Sequence, residues 1–164
     1  MAYKVNIITL SDKGAQGLRE DTSGPALKEA IEKAGFEVTD MRLLSDDPDG
    51  LKAALIEICD NKKADLVLTT GGTGLSVRDN TPEATMAVIE RNVPGMAEAI
   101  RIKSLSITPK AMLSRGVCGI RGTTLIINLP GSRKGALESL DAVLPALPHA
   151  IDILTGSVSE CGGK

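Results

Sequence analysis

Several stretches of this chain combine glycine with charged or hydroxyl side chains in the way phosphate chemistry uses. The longest runs Gly71-Gly72-Thr73-Gly74, then Arg78-Asp79, then Thr81-Pro82. Glycines let a backbone approach a ligand closely, and a following helix N-terminus offers unpaired N–H groups and a positive dipole end to an anion. An arginine can neutralise a phosphate while a carboxylate beside it holds Mg2+, a pairing suited to phosphoryl or nucleotidyl transfer. No Gly-Lys-Ser/Thr follows, so this is not a Walker loop, and the spacing does not match the dinucleotide fingerprint. The alternative is a plain turn whose Arg78 and Asp79 form a local ion pair of little energetic weight.

Other stretches could complete a site. Ser11-Asp12 follow an apolar run, and Ser45-Asp46-Asp47-Pro48-Asp49 follow another. Helix capping accounts for Asp49 and Asp47 and leaves Asp46 free for a metal or for acid/base chemistry. Pro130-Gly131-Ser132-Arg133-Lys134-Gly135 is a second glycine-bearing, cationic loop. Ser11 and Asp12 could equally cap a turn.

These loops need elements to hold them, and the hydrophobic pattern supplies an alternating set. Val5–Leu10, Phe36–Leu44, a run from Ala64 or Asp65 to Thr69, and Thr124–Leu129 read as strands. The apolar, β-branched runs suit a parallel sheet buried on both faces. Helical spacing recurs over Ala26–Ala34 with Gly35 as the stop, over Leu51–Cys59, and from Thr81 as N-cap with Pro82 at the first helical position. A further helix carries Met96, Ile100 and Leu105, and the closing helical region buries Leu137 to Leu147, with Pro145 and Pro148 splitting it. Val117–Ile120 and Thr124–Leu129 form a hairpin around Arg121-Gly122, so one strand runs antiparallel. The expected fold is a three-layer α/β/α sandwich with a mostly parallel central sheet. Residues 1–156 make one domain and 157–164 a frayed tail.

Composition narrows the partners. A chain of 164 residues can bury roughly 70% of its unfolded surface without cross-links. Nineteen basic against 21 acidic side chains, with one Phe, one Tyr and no Trp, argue against nucleic acid. Residues 101–134 nevertheless hold seven cations and no acid, which suits an anionic ligand or merely a solvated surface. Cys59, Cys118 and Cys161 have no metal-binding spacing and read as reduced thiols, the first two in the core. No apolar run approaches the ~20 residues of a membrane span. A soluble, cytoplasmic protein is expected.

Thr69-Thr70-Gly71-Gly72-Thr73-Gly74, Arg78-Asp79 and Thr81-Pro82-Glu83-Ala84-Thr85 closely resemble the signature of the molybdenum-cofactor biosynthesis domain. Pro94-Gly95-Met96, Thr108-Pro109, Met112-Leu113-Ser114-Arg115 and Ile127-Asn128-Leu129-Pro130-Gly131-Ser132 continue the match in order. Within that superfamily the later segments look most like molybdopterin adenylyltransferases, including the G domain of gephyrin. The resemblance implies a trimeric cytoplasmic enzyme that adenylylates molybdopterin with Mg-ATP, releasing pyrophosphate. It implies Asp79 as the magnesium and catalytic carboxylate and Asp46 as the second essential acid. Gly71, Gly72, Thr73 and Gly74 would bind phosphate with Arg78. Ser11, Asp12, Pro130, Gly131 and Ser132 would line the pterin or nucleotide pocket, and Glu98, Ser114 and Arg115 would assist; by charge rather than by resemblance, Lys134 of the acid-free segment would serve the same anionic substrates with Arg115. A non-catalytic molybdopterin carrier is the alternative implication. The position after Arg78-Asp79 is usually Val in the family; here it is Asn80.

Overall fold

The computed structural model describes residues 2–157. Its strands are β1 (Lys4–Leu10), β2 (Glu37–Leu44), β3 (Leu66–Thr70), β4 (Arg91–Asn92), β5 (Cys118–Arg121) and β6 (Thr124–Leu129). Its helices are α1 (Asp12–Ala15), α2 (Ser23–Lys33), α3 (Pro48–Asp60), α4 (Thr81–Val88), α5 (Pro94–Leu105), α6 (Arg133–Val143) and α7 (Leu147–Thr155). One 3-10 turn, Pro109–Leu113, follows α5, and a second, Leu144–Ala146, separates α6 from α7 where Pro145 interrupts the helical hydrogen bonding.

The six strands form one sheet in the order β2-β1-β3-β6-β5-β4. β2, β1, β3 and β6 pair in parallel, while β5 runs antiparallel to both β6 and β4. Successive side chains on a strand point to opposite faces, and the core divides accordingly. Ile7 and Leu68 pack with Leu27, Ile31, Ile100, Leu140 and Leu147 of α2, α5, α6 and α7. Ile8 and Val67 pack on the other side with Leu51, Leu55, Ile58 and Val88 of α3 and α4. The result is the expected three layers. Each fully buried Leu or Ile contributes about 1.5–3 kcal/mol, so two such clusters hold the layers together without cross-links. Cys59 and Cys118 are indeed buried free thiols, and burial pushes them up to about 11 and about 12.

Local expectations shift in a few places. β3 extends to Thr70 rather than ending at Thr69. Asn80, not Thr81, is the N-cap of α4, and its side chain makes no capping bond. Thr81 is buried and turns its hydroxyl to the Gly71 carbonyl instead, at 2.9 Å. β4 is two exposed residues, too short to show a period. Asp47 caps α3, accepting from the N–H groups of Asp49 and Gly50, as the capping argument requires. Gly156 ends α7 with φ +74°, and the tail expected over 157–164 lies outside the described residues beyond Ser157.

Candidate active site

β1 lies between β2 and β3, so the chain leaves its carboxyl end toward one neighbour and the loop of the other neighbour meets it there. Open α/β sheets bind ligands at such a switch point. The loops after β1, β2, β3 and β6 converge on a cavity of about 430 Å3.

Gly71 makes this convergence possible. Its φ is +104°, and a Cβ there would lie 2.3 Å from the Leu10 carbonyl oxygen. Gly72, at φ +66°, would collide with the Thr81 hydroxyl. Only glycine fits either position. Thr81 stitches the loop to α4, its N–H donating to Gly72 O at 3.1 Å and its hydroxyl to Gly71 O. The N–H groups of Gly72, Thr73 and Gly74 have no protein acceptor among the described residues, and Gly72 lines the cavity. Below the loop Asn128 is buried and bonds Thr69 Oγ1 at 2.9 Å and Thr85 Oγ1 at 3.0 Å, tying β6 to β3 and α4.

Of the four acidic residues that line this cavity, Glu20, Asp21, Asp46 and Asp79, the last two come from the loops after β2 and β3. Asp79 Oδ2 accepts from Ser76 N–H at 2.9 Å. Asp46 Oδ2 accepts from Asp12 N–H at 2.9 Å. Burial raises the Asp46 carboxyl above the usual carboxylate range. Asp12 is held below it, chiefly by Arg78, whose Nε and Nη2 grip Asp12 at 2.9 and 2.8 Å. No hydrogen bond reaches Asp46 Oδ1 or Asp79 Oδ1 among the described residues, and no group of three or more His, Cys, Asp or Glu side chains gathers there as metal ligands. That donor set suits Mg2+, which takes one or two carboxylates and otherwise keeps waters and substrate phosphates.

The cavity lining includes Ser11, Asp46, Gly71, Gly72, Asp79, Gly131 and Ser132 of the sequence candidates. Ser11 also caps α1, accepting from Gly14 N–H. Asp12 and Arg78 sit beside the lining, joined to each other. Pro130 accepts from Thr70 Oγ1 at 2.7 Å and Thr73 from Arg115 N–H at 2.9 Å; both work as supports. Gly74 backs the Asp79 carboxylate, where a Cβ would come within 2.9 Å of Oδ2. Glu98, Ser114, Arg115 and Lys134 are not brought to the cavity. Lys134 lies 3.8 Å from Glu138 on its own helix, and Arg115 is spent on Glu83, Gly74 O and Asp79 O.

One wall escaped the sequence reading. Arg19, Glu20, Asp21 and Thr22, between α1 and α2, and Ser23 at the start of α2 line the cavity as well. Asp21 accepts from Thr9 Oγ1 at 2.7 Å and Gly24 N–H at 3.0 Å, and Ser23 Oγ donates to Gly131 O at 2.7 Å. The available signal was the polar run itself, which reads as a helix start and no more.

The geometry has counterparts among known proteins. The chain is 40% identical over 162 residues to a molybdopterin adenylyltransferase of Helicobacter pylori, covering 98% of this chain and 92% of that one. Its fold superposes with TM-score 0.89 on the molybdopterin biosynthesis enzyme MoaB of Thermus thermophilus, at 52% identity and covering 94% and 97% of the two chains. A tungsten cofactor synthesizing protein MoaB of Pyrococcus furiosus superposes at 0.85, with 33% identity and 93% and 97% coverage. Residues 6–149 match the family described as the probable molybdopterin binding domain. With that match over most of its length, and relatives of 40% and 52% identity covered almost end to end, the chain belongs to this family of probable molybdopterin binding domains found in molybdenum-cofactor biosynthesis proteins.

Proposed function

We propose that this protein is a molybdopterin adenylyltransferase, transferring AMP from Mg-ATP to the molybdopterin phosphate. The observation that carries the reading is the placement of Asp46 and Asp79 on one cavity beside three unengaged N–H groups of a glycine loop. The name of the Helicobacter pylori relative agrees with it.

The terminal phosphate of molybdopterin attacks the α-phosphorus of ATP. A new P–O bond forms, the bond to the bridging oxygen breaks, and pyrophosphate leaves with that electron pair. A phosphate monoester is already largely ionised at neutral pH, so no general base has to make the nucleophile. The difficulty is repulsion between anions, and the chain answers it by position and charge. The loop N–H groups donate to phosphate oxygens, and Gly131 and Ser132 line the cavity from the loop after β6. Mg2+ held by Asp46 and Asp79 would neutralise phosphate charge as it develops. No covalent intermediate is involved.

We also read the protein as a cytoplasmic homotrimer that passes its product to other cofactor-biosynthesis proteins. Ile102, Leu105, Ile107, Met112 and Leu113 expose apolar side chains along α5 and the turn after it, a surface a second copy would cover. Two buried free thiols suit a reducing compartment, and no described helix is long and apolar enough to cross a membrane.

The test is incubation with molybdopterin, ATP and Mg2+, followed by detection of AMP-bearing pterin and pyrophosphate. Pterin binding without ATP consumption would assign a carrier role instead. Sedimentation at the mass of one chain would refute the trimer.

A further inference from the structure

Arg115 does not reach the cavity, yet it touches the loop carrying Asp79 at more points than any residue within that loop. Its Nε–H donates to Gly74 O at 2.8 Å, Nη2 donates to the Asp79 carbonyl, and Nη1 pairs with the Glu83 carboxylate in the first turn of α4. Its backbone N–H donates to Thr73 O at 2.9 Å. Gly74 and Asp79 are the two ends of one turn, so a single planar guanidinium spans its base. Within the turn, Ser76 N–H donates to Asp79 Oδ2 and Asp79 N–H to Ser76 O, both at 2.9 Å. Little packing assists, since Leu75 is 66% and Val77 93% exposed. Behind Arg115, Arg101 of α5 donates to Gly116 O at 2.9 Å and fixes the strap from which Arg115 projects.

We propose that Arg115 is a positioning residue for Asp79: its fork sets the separation of the Gly74 and Asp79 carbonyls and so the direction in which the Asp79 carboxylate enters the cavity. The inference rests on the reading of Asp79 as an acting carboxylate in nucleotidyl transfer. Exposed ion pairs contribute little, so the Glu83 partner alone would not matter much. The two carbonyl bonds are different, because they act on geometry, and a misplacement of about 1 Å near reacting groups can cost roughly a hundredfold in rate. Lysine keeps the charge but is a point donor on a flexible stem and cannot span acceptors that a planar fork reaches together.

The experiment compares wild type, Arg115→Lys and Arg115→Gln as full chains. Amide hydrogen exchange is followed by NMR at Ser76 and Asp79, with β1 and β6 as internal references. Steady-state kinetics with Mg-ATP and molybdopterin accompany it. In both variants exchange at Ser76 and Asp79 is expected to rise about tenfold or more while the strand amides keep wild-type rates. The rate constant kcat is expected to fall about tenfold or more with both KM values within about twofold, and Lys to recover little of it. Wild-type exchange at Ser76 and Asp79 would overturn the proposal. So would exchange rising equally in β1 and β6, or a loss confined to KM. If the wild-type chain adenylylates nothing, the functional reading fails by itself, and the exchange data still decide whether Arg115 fixes the turn.

Discussion

Asp12 and Asp46 hold each other by reciprocal hydrogen bonds, the N–H of each donating to the carboxylate of the other at 2.9 Å across 34 residues of sequence. The exchange locks the loop after β1 to the loop after β2, and the Arg78 fork on Asp12 brings in the loop after β3. Asp12 therefore serves as a joint among three loops. Asp12→Asn keeps an acceptor for Asp46 N–H but discards the charge facing Arg78, and turnover is expected to fall about tenfold. Asp12→Ala loses both contacts and falls further. Steady-state rates check this, and a fully active Asp12→Ala would show that the clasp is incidental.

Asp79→Asn preserves shape and an acceptor for Ser76 N–H while removing the charge available to a cation. Turnover is expected to vanish with molybdopterin binding largely intact by calorimetry. Asp46→Asn is expected to be slow as well. Wild-type rates for Asp79→Asn would remove that residue from the mechanism.

Arg19 is the one basic side chain among the described residues that line the cavity, where Glu20, Asp21, Asp46 and Asp79 are acidic. A polyanionic substrate entering there needs a cation on that wall. Arg19→Gln is expected to raise KM for ATP or for molybdopterin about tenfold, since a hydrogen bond to a charged group contributes about 1.5–3 kcal/mol. Separate titrations of the two substrates identify which phosphate it meets, and unchanged KM for both would exclude the contact.

Ser139 on α6 is fully buried, and its hydroxyl finds no partner among the described residues. Burying an unsatisfied hydroxyl costs about 1–3 kcal/mol, and alanine is also the better helix former. Ser139→Ala is expected to raise stability by about 1 kcal/mol in denaturant unfolding. A loss of stability would mean that the hydroxyl has a partner in solution.

Glu57 lies between Arg42 and Lys63, which hold its carboxyl down to about 2 from the ordinary 4.5. Its folded pKa is depressed, so its stabilising contribution is present above the unfolded value and lost as pH falls from 4.5 through about 2. Glu57→Gln is expected to melt below wild type at pH 7, with the gap closing across that window. A gap that stays constant with pH would assign the effect to packing.

What the sequence determined by itself was local and periodic. Val5–Leu10 and Thr124–Leu129 read as buried strands because a strand covered on both faces must be apolar throughout. The glycine loop was legible because Gly71 and Gly72 occupy conformations and contacts that only glycine tolerates, and Asp46 because capping of α3 consumes Asp47 and leaves its neighbour over. Tertiary structure decided who meets whom. Strand order placed Asp12 against Asp46, paired Arg78 with Asp12, and withdrew Arg115 behind the Asp79 turn. It also folded residues 19–23 into a cavity wall. Those pairings span 34 to 66 residues and leave no period in the chain, because they arise from the order in which strands assemble rather than from the conformation of any one segment.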